Sequence, residues 1–437
     1  MRPNQARGAR YAPSARAGKF LTPHQKGAPN TTRAAELLTT AIAGAPTSAD
    51  GIVVGRDQLS HSIVAHDPVT AYASGQVTSP LVLAIGDVGR GKSSLLKSVY
   101  VTRAMALKGR RCVVLDKKDE QGEGEYAALT RRAGSEPIRM RLDGAGSILN
   151  PIDPLIAGPE AAAPEQTLQA LVENVAGVDL NVWQRKALRV ALRDVRVAVA
   201  DRAATLADVA RTLGGVRLED ARVAGVAADQ FEEAALFVRF TIEELLETYG
   251  TMFDGETSED VRLGDKLTTF DISQLPGHGP AVPAVVGVAH GWLMGRLRRE
   301  RGLVTHFIAE EGWHLLNGPN ARTIAENVKL ARGLGLVMVI ALHKPADIEL
   351  NAAAAPVLQE AQTVHIFGNA RRQDAERVVE LFDLDADSVD LIMQLPRGHH
   401  LLKIGTRPEI HVQHVRSELE QMLTNTDAAM LAGVAVS

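Results

Sequence analysis

Residues Leu81 to Ser98 read LVLAIGDVGRGKSSLLKS, and the fold turns on how this stretch is read. Five apolar residues, Leu81 to Ile85, predict a short buried strand. Gly86-Asp87-Val88-Gly89-Arg90-Gly91-Lys92-Ser93 then fits G-x-x-x-x-G-K-[ST], and Leu95, Leu96 and Val99 follow at the spacing of a helix with one buried face. A phosphate-binding loop needs glycines where backbone N–H groups turn inward around an anion. It needs a lysine that reaches the outer phosphate oxygens, a hydroxyl for a metal ion, and a helix N-terminus aimed at the negative charge. A glycine-rich surface turn is the alternative, and it does not account for the apolar strand. The stretch therefore predicts a P-loop nucleotide site formed by Gly86, Asp87, Val88, Gly89, Arg90, Gly91, Lys92, Ser93 and Ser94.

The chain has 437 residues, enough for one large domain with a sub-domain, and its 45% hydrophobic and 23% charged residues describe an ordinary globular balance. The net charge of −4 does not demand a nucleic-acid partner. The charge is unevenly spread, since Arg2, Arg7, Arg10, Arg16, Lys19, Lys26 and Arg33 all precede the first acidic residue, Glu36. Residues 1–34 are read as a disordered basic tail, either solvated or touching DNA, acidic lipid or an acidic partner. The single cysteine, Cys112, excludes an intrachain disulfide and lies in an apolar run, as suits a cytoplasmic protein. The longest apolar region, Pro280 to Gly295, is interrupted and too short to span a bilayer, and the N-terminus has no apolar signal core.

Working outward from the loop, Glu36 to Ala43 predicts one short helix, and Gly51 to Pro68 alternates in the manner of a hairpin or edge strands. Arg111 to Leu115 is a second apolar strand ending in Asp116, closing a βαβ unit. The polar segment DKKDEQGEGEY that follows is either a solvated loop or a feature that turns Asp116 and Glu125 towards the nucleotide. From Pro164 to Tyr249 the spacing is helical throughout. Strands return at Lys266 to Asp271, Leu303 to Ala309, Gly335 to Ala341 and Thr363 to Phe367, with a closing hairpin over Leu401 to Ile404 and Glu409 to Val415. Strands alternating with helices predict a mostly parallel, doubly wound α/β sheet. The expected organisation is a basic tail (1–34), the first part of an ATPase core (35–155), an all-α insertion (156–252), the second part of the core (253–420) and a tail (421–437).

A nucleotide-hydrolysing site also needs a carboxylate at a strand end for Mg²⁺ and a second group to activate water. Glu310-Glu311 closes the apolar run Leu303 to Ala309. Glu310, with Ser93, is assigned to the metal and Glu311 to the water. His343, at the tip of the next strand, is a candidate sensor of the terminal phosphate or a structural histidine. The transition state favours a cation supplied by a neighbouring subunit. Arg332, Arg371, Arg372 and Arg397 are candidates, with Arg332 and Arg372 first; each alone also reads as a surface arginine.

With these residues in view, the chain resembles the HerA–FtsK superfamily, and within it the TraC-type ATPases of conjugative transfer and type IV secretion, from about Gly51 to Val415. Besides the P-loop, the resemblance is carried by LDKKDEQGEGEY, by Leu149-Asn150-Pro151-Ile152-Asp153 and by Phe253-Asp254-Gly255 leading to Phe270-Asp271-Ile272-Ser273. Glu310-Glu311-Gly312-Trp313 is similar to the family's Asp-Glu-Ala-Trp. Glu310 stands where the family has Asp, and His343 where it has Gln. The resemblance implies a RecA-like core binding ATP and Mg²⁺ at the interfaces of a homohexamer. It further implies a cytoplasmic motor at the inner face of the cell membrane, held there by type IV secretion channel or coupling components, with DNA or protein as cargo. A DNA translocase of the same superfamily and a nucleotide-gated scaffold with little turnover are the alternatives.

Overall fold

The computed structural model describes residues 50–154, 163–199, 201–215, 228–316, 318–344 and 355–424. The basic tail, the expected helix Glu36 to Ala43 and residues 425–437 lie outside them. The described residues belong to one compact unit, 48–437.

Among the described residues there are thirteen strands: β1 (Val53–Asp57), β2 (Ile63–Ala65), β3 (Leu81–Ile85), β4 (Arg110–Asp116), β5 (Asp119–Glu120), β6 (Glu123–Gly124), β7 (Ile138–Arg139), β8 (Leu267–Asp271), β9 (Val304–Ala309), β10 (Leu336–Leu342), β11 (Ala361–Phe367), β12 (His399–Ile404) and β13 (Ile410–His414). All but β5 and β6 join one sheet in the order β2-β1-β13-β12-β11-β3-β10-β9-β4-β8-β7. From β11 to β7 every pairing is parallel; from β11 to β2 every pairing is antiparallel. The parallel part is the expected doubly wound sheet, and the antiparallel part contains the two expected hairpins.

The pattern follows from burial. β3 (LVLAI) and β10 (LVMVIAL) are apolar at every position and buried at every position, as strands covered on both faces must be. Leu81, Leu83 and Ile85 point into one apolar layer, and Val82 and Ala84 point into the other. The second layer holds the helix that follows the P-loop, through Leu95, Leu96, Val99 and Tyr100. That helix runs over 92–106, and its middle, Leu96–Arg103, is wound as a π-helix. Between β7 and β8 lie the helices Ala163–Ala176, Val182–Ala198, Leu206–Leu213 and Ala228–Phe253. Their buried faces, including Leu168, Leu188, Val209 and Phe231, are continuous with the apolar layer under the sheet rather than closed off as a separate core.

Parallel register aligns the strand ends. Leu342 is opposite Ile85, Ile340 opposite Ala309, and Asp116 opposite Asp271. The residues that follow these ends share one edge of the sheet, where open α/β folds bind ligands.

Candidate nucleotide site

Gly86 follows β3 with φ near +147°, and a Cβ there would lie 2.6 Å from the Cβ of Phe367, so only glycine fits this turn. The loop is braced from the β11 exit and the β12 hairpin. The Asp87 N–H donates to the Gly368 carbonyl (3.1 Å), and the Asp87 carboxylate accepts from the Ala370 N–H (2.7 Å). The Gly398 N–H donates to the Arg90 carbonyl (2.9 Å). Lys92 is buried and folds back over the loop, donating to the carbonyls of Gly86 and Asp87 (2.9 Å to the latter). Its ammonium thus lies inside the cradle, where a phosphate chain would draw it off those carbonyls. Val88, at the loop tip, is exposed.

Glu310, directly after β9, is buried against this loop. The Tyr126 hydroxyl donates to its carboxylate, and the Ser93 hydroxyl bonds it from the P-loop side. Burial pushes the Glu310 carboxyl up to about 7, and the negative charge of Glu125 adds to the shift. Ser93 and Glu310 together form an all-oxygen donor pair that fits Mg²⁺. That ion is usually held by one or two protein oxygens with phosphate and water supplying the rest. Among the described residues no cluster of three histidine, cysteine or acidic side chains competes for a metal. Glu311 follows, half-exposed, and His343, just past β10, brings Nε2 to 3.5 Å from its carboxylate. The parallel β9–β10 register thus brings together the two residues assigned to water activation and sensing.

The acidic segment after β4 is not a plain solvated loop, because Asp116 and Glu125 are buried. It folds back over the strand ends through the β5–β6 ribbon. The Gly124 N–H donates to Asp271 (3.0 Å) and the Tyr126 N–H donates to Asp116 (2.7 Å). A Cβ at Gly124 would come within 2.2 Å of the Asp116 carboxylate, which is why the turn takes glycine. Asp116 is held well above the usual carboxylate range, first by burial and then by the charges of Glu125 and Glu310. Lys97, from the π-wound turn of the P-loop helix, meets Glu125 at 3.1 Å in a fully buried ion pair and lies over the Tyr126 ring. Tyr126 and Lys97 are the site residues that sequence reasoning missed. The available signal was an aromatic and a lysine in otherwise polar or apolar runs, with nothing local to pair them.

The arginines divide. Arg372 begins the helix Arg372–Phe382 after β11, on the ligand edge, where it bonds Asp390 and approaches Glu376 at 3.7 Å. Arg332 donates to the Thr78 carbonyl (3.1 Å), ahead of the start of β3, and so lies at the opposite edge of the sheet from its own loop. A full strand length thus separates Arg332 from the loop of its own chain, and the role expected of it is at the site of a neighbouring subunit. Arg397 immediately precedes Gly398, which backs the loop at Gly91.

Fold and edge geometry together define a RecA-like P-loop ATPase fold. By sequence, the chain matches no family model and no curated protein. By structure it is similar to VirB4 of Thermoanaerobacter pseudethanolicus, with a TM-score of 0.70 at 18% identity, over 86% of this chain and 100% of that one. It is also similar to the bacterial conjugative coupling protein TrwBdeltaN70 in an unbound form, with a TM-score of 0.57 at 15% identity over 85% and 90% of the two chains. The plasmid coupling protein TrwB in complex with ADP and Mg²⁺ gives 0.55 at 17% identity over 86% and 96%. At these identities the likeness is one of fold. No helix among the described residues is long and apolar enough to cross a membrane.

Proposed function

We propose that this chain is an ATP-hydrolysing motor of the kind that powers conjugative DNA transfer or type IV secretion. The observation that supports it most is the meeting of Ser93, Glu310, Glu311 and His343 on one sheet edge beside an intact phosphate loop, in a fold shared with VirB4 and TrwB. Bound Mg²⁺ would neutralise charge on the phosphate chain. Ser93 and Glu310 would hold it, Lys92 would leave the loop carbonyls to meet the outer phosphates, and Glu311 would orient and deprotonate the attacking water. Because Arg372 is engaged with acids of its own chain and Arg332 faces the far edge, an arginine for the transition state would come from a neighbouring copy. This favours a homohexamer acting in the cytoplasm at the inner face of a membrane machine.

The test is the steady-state ATPase rate with and without DNA, for the wild type and Glu311→Gln, with particle mass measured under the same conditions. Turnover abolished by the substitution supports the motor. Strong stimulation by DNA that weakens with salt would favour the coupling-protein reading that the TrwB likeness supports. Equal, negligible turnover in both proteins would overturn the enzyme and leave a nucleotide-gated scaffold.

A further inference from the structure

The sheet order fixes which way a nucleotide must lie. β3, which carries the loop, has β10 on one side and β11 on the other. Glu310, Glu311 and His343 all stand on the β10–β9 side, so the terminal phosphate and its water belong there. The β11-β12-β13 side is left for the nucleoside end. Arg416, two residues past β13, reaches the loop from that side: its Nη1 lies 3.3 Å from the Ser94 hydroxyl, one residue beyond the metal-binding Ser93.

The guanidinium is held by hydroxyls rather than by an acid. Its second partner is the Thr424 hydroxyl at 2.6 Å. The carboxylate beside it, Glu420, is taken by Arg103 at 2.6 and 2.8 Å. Among the described residues no carboxylate forms an ion pair with Arg416. Partial burial, and then the nearby charge of Arg397, press against its positive form, and the charge of Glu420 offsets them only in part. A half-buried cation whose side-chain bonds go to neutral hydroxyls, beside a carboxylate already bonded by Arg103, has room for an anion at the first turn of the P-loop helix.

We propose that Arg416 binds the α-phosphate of the nucleotide in its own chain, an inference that rests on the nucleotide site described above. Charge-assisted bonds to phosphate are the strong ones, and a guanidinium offers several donors in a fixed plane. The competing explanation is mechanical: through Thr424 and the bond from Gln421 to its own carbonyl, Arg416 clamps the short helix Glu418–Leu423.

The test uses the full chain with two substitutions. Arg416→Gln keeps a donor for the two hydroxyls and removes the charge, whereas Arg416→Lys keeps the charge. Equilibrium affinities for ADP and for non-hydrolysable ATP, with Mg²⁺, are measured beside the thermal unfolding midpoint. The expected result is a loss of roughly tenfold for both nucleotides in Arg416→Gln, a smaller loss in Arg416→Lys and unchanged midpoints. Equal affinities in all three proteins overturn the proposal. So does a loss that appears only together with a lowered midpoint, which identifies the clamp, or a loss for ATP but not ADP, which identifies a terminal-phosphate contact. A wild type that binds neither nucleotide would overturn the site itself rather than the role of Arg416 within it.

Discussion

Tyr126 donates its hydroxyl to Glu310 across 184 residues of sequence, and this one bond joins the acidic segment after β4 to the carboxylate after β9 proposed to hold the metal. Both groups are buried, and the backbone N–H of the same tyrosine caps Asp116. The carboxylate proposed to hold Mg²⁺ is therefore oriented by the Tyr126 hydroxyl.

Removing that bond with Tyr126→Phe leaves the ring packing intact and takes one donor from Glu310. The folded state should lose about 1–2 kcal/mol, because a buried acceptor is left short of a partner. The Mg²⁺ concentration needed for half-maximal nucleotide binding should rise roughly tenfold, as it does when outer-shell partners of metal ligands are removed. Nucleotide titrations at several Mg²⁺ concentrations check this, and an unchanged Mg²⁺ dependence would sink the positioning role.

Glu311→Gln should spare the fold and the affinity for ATP, since the side chain is partly exposed and the substitution is nearly isosteric. Loss of general-base and water-orienting action should lower turnover by about 100-fold or more. A rate within a factor of a few of the wild type would place the base elsewhere.

The Lys97–Glu125 pair is almost wholly shielded from water. Lys97→Met alone strands Glu125 with the half-exposed Lys118, 3.3 Å away, as its remaining cation and should cost about 3–5 kcal/mol. Adding Glu125→Leu should restore much of that, because two well-packed apolar groups need no counter-charge. Urea denaturation of the two variants decides the matter; a double variant less stable than the single one would contradict it.

Buried histidines set the acid behaviour. His66, His290 and His414 are held down to about 4 and His306 to about 3, in each case chiefly by burial, and His365 and His400 lie well below their ordinary value for the same reason. In the unfolded chain each takes up a proton near pH 6.5, while the native state does not, so stability must fall as the pH drops from about 6.5 towards 4. Glu310, raised to about 7, binds its proton in the native state first and works against this between pH 7 and its ordinary value of 4.5. Asp116, also raised well above its ordinary value, acts in the same sense, and two carboxyls do not offset six rings. Denaturant midpoints should therefore decline steadily between pH 6.5 and 4.5, and a flat profile would mean that these rings reach solvent in the native state.

The strand–loop–helix of Leu81 to Ser98, the buried β9 run ending in Glu310-Glu311, the β12–β13 hairpin and the helices between β7 and β8 were all legible in the sequence. Each is encoded within some twenty neighbouring residues, by apolar period, glycine position or motif spacing. The sequence by itself thus determined the class of fold and the loop that cradles phosphate. Only the tertiary structure decided which strand lies beside which, and every remaining feature of the site depends on that. It turned the acidic segment into a cap for Asp116 and Asp271, sent Arg332 to the far edge, and set Arg416 beside Ser94 from 322 residues away. The physical reason is that register and sheet order come from burying both faces of many strands at once. Contacts of such long separation leave no period or motif in the local sequence to announce them.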